Sequence, residues 1–197
     1  LNLHVMKKAF LFIGLSLSVV FVNAQAKYGL KGGLNISNLG GSDIEDNKAK
    51  IGFHLGGYVD VPVHTNLSVQ PELTFSTQGC KFEDSDDLRY NLNYLNIPVM
   101  AKYNFPAGVS IETGPQLGIL LSAKAKNDDY SENIKDNLKG TSFYWNFGLG
   151  YQPAGSQFGA NIRYNLGLSR LDEDGDAEVF NRVWQIGVFY QLGGTSK

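Results

Sequence analysis

The densest group of potential metal ligands lies near the C-terminus of the chain. Hard oxygen ligands of the kind calcium prefers come from Asp172, Asp174, Asp176 and Glu178. The spacing departs from an EF-hand loop, since Gly175 takes the fourth place instead of the sixth and Val183 stands where the bidentate glutamate belongs. We therefore interpret the segment as a solvated acidic loop, keep calcium binding as the weaker alternative, and expect no cofactor.

A second candidate set carries charge at positions far apart in the sequence. Its members are Glu72, Lys102, Glu112 and Arg163. The hydrophobic alternation described below points all four inward, from four different strands of a narrow barrel. Opposite charges in such a lumen should pair with each other instead of lining a water channel. We interpret the set as a structural plug, with a gate as the alternative.

The composition excludes several classes of protein. The 197 residues suffice for one domain, and the formal net charge of −2, with no basic cluster beyond Lys7 and Lys8, lacks the footprint of nucleic-acid binding. A single cysteine, Cys80, excludes an intramolecular disulfide framework and a cysteine-rich zinc site. The 23 glycines and many aromatic residues favour tightly turning β structure.

The N-terminal segment has the features of a secretory signal. From Met6 the chain reads MKKAFLFIGLSLSVVFVNAQA, with two lysines, an apolar stretch over 9–22 and a small residue, Ala24, before Gln25. The apolar stretch is shorter than the roughly 20 residues that a membrane-spanning helix needs. We predict an upstream extension and cleavable signal peptide over 1–24, a barrel domain over 25–193 and a short tail over 194–197.

After Gln25 the sequence alternates with period two in eight segments. These segments span 28–39, 51–61, 67–75, 92–105, 109–121, 143–151, 158–166 and 184–192. Each has one apolar face and one face of polar or small residues, and lipid cannot satisfy the open edge of a sheet. The sequence therefore predicts an all-β fold, an eight-stranded antiparallel up-and-down transmembrane β-barrel.

The connections between the segments alternate in length. The turns at 62–66, 106–108 and 153–156 are short, whereas the loops at 40–49, 81–91, 122–141 and 169–181 are long and carry 16 of the 19 carboxylates. In outer-membrane barrels the short turns face the periplasm and the long loops face outward. We expect four long acidic loops on the outside, and inward positions for the remaining carboxylates, Asp60, Glu72 and Glu112.

Period-two alternation also fits a soluble barrel that is apolar inside. The composition of the polar face distinguishes this soluble barrel from a membrane barrel. That face consists mostly of Gly, Ser, Asn, Gln and Thr, with Lys31 as an exception, whereas a water-facing surface would carry many Lys and Glu. Aromatic residues near the strand ends fit interfacial girdles. We predict the outer membrane as the location, with a soluble lipocalin-like binding barrel as the alternative.

Several sequence motifs lie on these strands. They read GLKGGLNISNL, GFHLGGYVDVPV, LSVQPELTFSTQG, YLNIPVMAKYNF, IETGPQLGILLSA, FGLGYQ and WQIGVFYQLG. With these motifs the chain resembles the PorT-like outer-membrane β-barrel family of Bacteroidota-type bacteria over about residues 27–193, and YLNIPVMAKY is the most specific of them. The resemblance implies an eight-stranded outer-membrane barrel, and a role in protein secretion belongs to one branch of that family.

The function that follows is a non-enzymatic barrel with a packed polar lumen. Its partners would be outer-membrane lipid and, through the long loops, extracellular or membrane proteins. One alternative is a component of a secretion machinery. Another is a lipid-modifying enzyme, for which His54, inward on the second strand, is the available general base, since His64 lies in a short turn at the opposite end.

Overall fold

The computed structural model of the protein describes residues 26–41, 47–82, 88–127, 130–171 and 179–193. The predicted signal peptide, its cleavage site and the tail at 194–197 lie outside the described residues. No helix in the described part of the chain is long and apolar enough to cross a membrane.

Eight long antiparallel strands close into a barrel, which confirms the predicted fold class. The described strands are β1 (Lys27–Gly40), β2 (Asn47–Pro62), β3 (Leu67–Phe82), β4 (Leu88–Asn104), β5 (Val109–Lys126), β6 (Ser131–Asn133), β7 (Thr141–Tyr151), β8 (Phe158–Gly167) and β9 (Phe180–Gln191). The pairing of β1 with β9 closes the barrel. The short strand β6 pairs only with the outer end of β5 and is not one of the eight strands of the barrel wall. A 3-10 helix, Lys135–Asn137, follows β6.

The strands expose their apolar face and bury their polar face. On β1, for example, Leu34 and Ile36 are exposed, whereas Asn35 and Ser37 between them are completely buried. A soluble binding barrel has the reverse arrangement, with apolar side chains inside and polar side chains in water. The lipocalin-like alternative is therefore wrong, and the exposed apolar belt marks a lipid-facing surface.

Aromatic side chains form two girdles on that surface. At the end with the short turns, Tyr103 contacts Phe105 and Phe158 contacts Tyr190, with ring centroids 4.9 and 4.6 Å apart. Toward the opposite end, Tyr164 stacks on Trp184 at 4.8 Å. The amphipathic Tyr and Trp rings among them favour the level of the lipid headgroups, so the two girdles delimit the membrane-spanning belt.

The short turns are tight enough to require a glycine. In the turn before β5, Gly108 has a φ of 82°, and a Cβ there would come within 2.3 Å of the Gln152 carbonyl oxygen. Only glycine adopts this conformation without strain and lets the neighbouring turn approach so closely. The short connections therefore hold one end of the barrel closely together.

The strands on one side of the barrel are longer than the alternation predicts. β3 continues to Phe82, β4 begins at Leu88 and β5 continues to Lys126, so the predicted loops at 81–91 and 122–141 start too early. At the outer end of β4 the alternation persists, but the polarity of the two faces is inverted. On β4, Leu92 and Tyr94 are buried in the lumen, while Asn91 and Asn93 face outward.

This inversion has a physical cause in the thickness of the membrane. A strand tilted by about 40° rises about 2.6 Å per residue, so an apolar belt about 25 Å tall is crossed in about ten residues. Counted from Tyr103 in the girdle at the short-turn end, that distance ends near Asn93. Beyond it the outward face lies in water instead of lipid, which favours polar residues outside and apolar residues inside.

A charge in the middle of the belt should destabilise the fold far more than a charge at its outer rim. We expect Leu55→Arg on β2, an exposed lipid-facing position, to lower the free energy of unfolding by about 2–4 kcal/mol. The matched control Leu168→Arg, an exposed position just past β8, should lower it by only ~0–1 kcal/mol. Denaturant titration of the barrel refolded in lipid bilayers measures both values, and equal costs would contradict the assigned belt.

Candidate functional site

A buried ion network crosses the lumen at the level of Arg163. This side chain is 1% exposed, and its two terminal nitrogens bind both oxygens of Glu72, with Nη1–Oε2 at 3.0 Å and Nη2–Oε1 at 2.8 Å. Its Nε binds Oε1 of Glu112 at 2.9 Å. β8 and β3 stand opposite each other in the ring, so the Arg163–Glu72 pair joins the two walls of the barrel.

A glycine makes room for this network on the barrel wall. Gly148 on β7 lies in register between Glu112 on β5 and Arg163 on β8. A Cβ at Gly148 would come within 2.5 Å of Oε1 of Glu112. The missing side chain therefore lets the carboxylate and the guanidinium meet across an intervening strand.

Lys31 completes the network, although it is not among the four charged residues predicted from the sequence. Its Nζ lies 3.0 Å from Oε2 of Glu72, and the side chain is buried. Gln70 donates a further hydrogen bond to Oε1 of Glu72 at 2.8 Å. The signal was available, because Lys31 breaks the small and polar character of the inward face and so required a buried partner.

Lys102 does not join this network, although the sequence grouped it with the other three residues. Its Nζ lies 3.4 Å from Oδ2 of Asp60 and 5.6 Å from the centre of the Phe189 ring. Both charged side chains of this second pair are slightly exposed. The lumen thus holds a tight buried network at Arg163 and a looser pair toward the short turns.

A layer of amide and hydroxyl side chains fills the lumen beyond the ion network. Asn35 is its most connected member, since Nδ2 donates to Ser76 Oγ and to two backbone oxygens, each at 2.9 Å. Its Oδ1 accepts a hydrogen bond from Gln185 at 3.1 Å and lies 2.9 Å from Nδ1 of His54. His54 is 2% exposed, so it belongs to this interior layer and not to the outer surface.

The outermost part of the lumen is apolar, which corrects the expectation of a polar lumen throughout. Leu39, Cys80, Leu92, Tyr94, Leu120 and Ala123 form a buried cluster there, and Leu171 from the last loop packs into it. Ile134 and Leu138, which flank the 3-10 helix, pack against the same cluster. The alternation within the membrane-spanning belt does not predict this cluster. The cluster consists of loop residues and of strand ends at which the apolar side chains face the lumen.

Beside the ion pair of Lys102, the described residues leave little open space in the polar part of the lumen. The cavity beside the ion pair of Lys102 holds about 10 Å³, and Lys31, Tyr58 and Glu112 line it. That volume suffices for about one water molecule. The interior is a packed core and not an aqueous channel in this region.

The predicted calcium ligands Asp172, Asp174, Asp176 and Glu178 lie outside the described residues. Within the described part of the chain, no group of three or more His, Cys, Asp or Glu side chains is placed to hold a metal ion.

The closed ladder, the apolar belt between aromatic girdles and the filled lumen together define a small integral β-barrel of the outer membrane. The chain belongs to the family of the outer membrane protein beta-barrel domain, whose model matches residues 21–173. None of the curated proteins matches the chain in sequence.

Solved barrels share this fold at low sequence identity. Ail, the attachment invasion locus protein of Yersinia pestis, in complex with the heparin analogue sucrose octasulfate, is 20% identical, with a TM-score of 0.55 over 85% of this chain and 99% of that one. Neisserial surface protein A is 13% identical, with a TM-score of 0.53 over 85% of this chain and 99% of that one. Both are similar to this chain in fold.

Loss of the central guanidinium should be the most damaging change to the lumen. We expect Arg163→Ala to lower the free energy of unfolding by about 3–5 kcal/mol, because Glu72 and Glu112 would stay buried without their main cationic partner. The control Lys102→Ala should cost clearly less, since its pair is longer and partly solvated. Equal losses in denaturant titrations would contradict the assigned hierarchy.

Proposed function

We propose that this protein is a non-enzymatic barrel whose filled lumen serves as a structural core and whose outer end carries the function. The observation that supports this most is the apolar cluster at the outer mouth. Leu171 and the residues around the 3-10 helix attach two of the long loops, those at 122–141 and 169–181, to the barrel interior. Such loops sit on a rigid scaffold and present their acidic segments to the exterior, where proteins or other surface molecules can bind.

The burial of His54 argues against the rival enzymatic function. A general base has to come within hydrogen-bond reach of the proton it removes. The Nδ1 of His54 faces Asn35 and its Nε2 lies near the backbone of Gly187, inside the filled lumen. A lipid substrate in the outer leaflet would have to enter that core before His54 could act on it.

We also propose a finer family assignment and two further roles for the outer end. Membership of the PorT-like branch of Bacteroidota-type bacteria rests on the strand motifs, above all YLNIPVMAKY, which covers residues 94–103 of β4. A role in secretion and calcium binding at the last loop would both act through the outer end. Neither role needs an open lumen.

Planar-bilayer conductance distinguishes between a structural plug and a gate as the role of the buried ion network. The intact protein and Arg163→Ala should both give no channels of porin size in planar bilayers, because the apolar cluster with Leu92 and Leu120 closes the outer mouth independently of the ion network. Far-UV circular dichroism first establishes that each variant is folded as a barrel. Stable large channels in Arg163→Ala alone would support the gate, and channels in both proteins would overturn the filled lumen.

Replacement of the last acidic segment tests the surface role. Residues 172–178 are exchanged for a Gly-Ser linker of equal length, with the same exchange of the short turn at 153–156 as the control. We expect the loop variant to change the set of proteins cross-linked to the barrel on intact cells, while lipid A composition and bulk secretion stay the same. An altered lipid A would favour the enzyme, and a general secretion defect would favour the secretion component.

A further inference from the structure

A groove with a strongly basic lining lies at the outer ends of β2, β3, β4 and β5. We call it the outer basic groove; its volume is about 630 Å³, and Lys50, Arg89, Lys124 and Lys126 supply its charge. Asn91 and Asn93 add amide groups, and no carboxylate lines it among the described residues. The outer end of the barrel therefore has a basic side wall in addition to its acidic loops.

A β-bulge turns two of these lysines outward. Asn93 pairs with Ser122 and Tyr94 pairs with Leu120, so Leu121 is the extra residue in β5. Before the bulge the even-numbered residues of β5 face the lumen, as Gln116 and Leu120 do, and after it Ala123 and Ala125 are buried instead. If β5 alternated regularly through Leu121 with no bulge, Lys124 and Lys126 would point into the apolar cluster.

The strand register places like charges opposite each other on this wall. Arg89 on β4 pairs with Lys126 on β5, and Lys48 on β2 pairs with Lys81 on β3. All four side chains are exposed. Side chains directly opposite each other in antiparallel strands project from the same face of the sheet, so these four cations concentrate basic side chains on this wall.

The position of the groove relative to the membrane indicates which kind of anion it can bind. The apolar belt ends near Asn93, and the headgroup layer occupies the next ~5–8 Å on each side of the hydrocarbon. Asn93, Asn91 and Lys124, which pairs with Asn91, lie at that level, and Lys126 beyond them is long enough to reach back toward it. The groove opens on the same outward surface as the lipid-facing residues Leu95 and Ile97.

We propose that the outer basic groove binds the phosphate groups of lipids in the outer leaflet. Lysine and arginine donate charge-assisted hydrogen bonds to phosphate oxygens, and the Asn amides suit the sugar or phosphate oxygens beside them. The inference deepens the proposed surface role by naming a partner, and it needs no protein to bind the loops. It can therefore fail while the loop function holds, and the reverse also applies.

Titration with defined lipids tests the proposal. The purified barrel in nonionic detergent is titrated with bisphosphorylated lipid A and with dephosphorylated lipid A of the same acyl chains, and native mass spectrometry counts the bound lipids. The test variant is Lys124→Gln/Lys126→Gln. The matched control is Lys135→Gln/Lys139→Gln, which removes the same charge from the neighbouring loop.

We expect the intact protein to bind the phosphorylated lipid at least roughly tenfold more tightly than the dephosphorylated one, a difference of about 1.4 kcal/mol. The test variant should lose that preference and the control should keep it. Equal loss in both variants would overturn the site, because a general charge effect explains it. Absence of phosphate-dependent binding, as expected if carboxylates of 83–87 and 128–129 neutralise the groove, would also overturn it.

A soluble polyanion distinguishes the source of the anion. Inorganic phosphate and a sulfated oligosaccharide are added as competitors for the bound lipid. We expect weak competition, because neither ligand is held at the membrane surface by acyl chains. Tight binding of the sulfated oligosaccharide with no binding of lipid A would overturn the lipid assignment.

Discussion

Hydrocarbon offers no hydrogen bonds, and that constraint determines most of this structure. Every backbone group within the membrane must pair with another, so the sheet has to close, and closure is achieved through the pairing of β1 with β9. Eight strands enclose a space barely wider than the side chains that fill it. Closure thus requires charged residues in the lumen to find partners at contact distance, and the ion network around Arg163 satisfies that demand.

The inversion of polarity along the strands marks the point where this constraint ends. Within the belt the outward face is apolar and the lumen polar, whereas above Asn93 the lumen becomes apolar and the outward face carries Asn, Lys and Arg. The same continuous strand therefore faces lipid along one part of its length and water along the other. The barrel above the membrane resembles the core of a water-soluble protein, which is why Leu171 and the segment around the 3-10 helix can pack into it.

The part of the barrel within the membrane and the part above it also differ in what they contribute: the first contributes stability and the second carries the proposed function. The lumen is filled by buried polar and charged groups, among them the paired charges around Arg163, whose exchange for others costs stability without creating a binding surface. The outer end has loops held by an apolar cluster and a basic wall, in which a β-bulge turns Lys124 and Lys126 outward. Variation there leaves the membrane-spanning ladder intact, so the outer end is the part of the barrel that can acquire specific partners.

The sequence by itself determined the class of fold, because alternation with period two is a local property of each strand. It also predicted inward positions for Glu72, Glu112 and Arg163. Which charges meet depended on strand register and on Gly148, so Lys31 joined Glu72 while Lys102 paired with Asp60. The true ends of β3, β4 and β5, the apolar outer cluster and the outward turn of Lys124 likewise required the tertiary structure. They arise from contacts between distant segments and from the position of the membrane boundary, which no single stretch of sequence encodes.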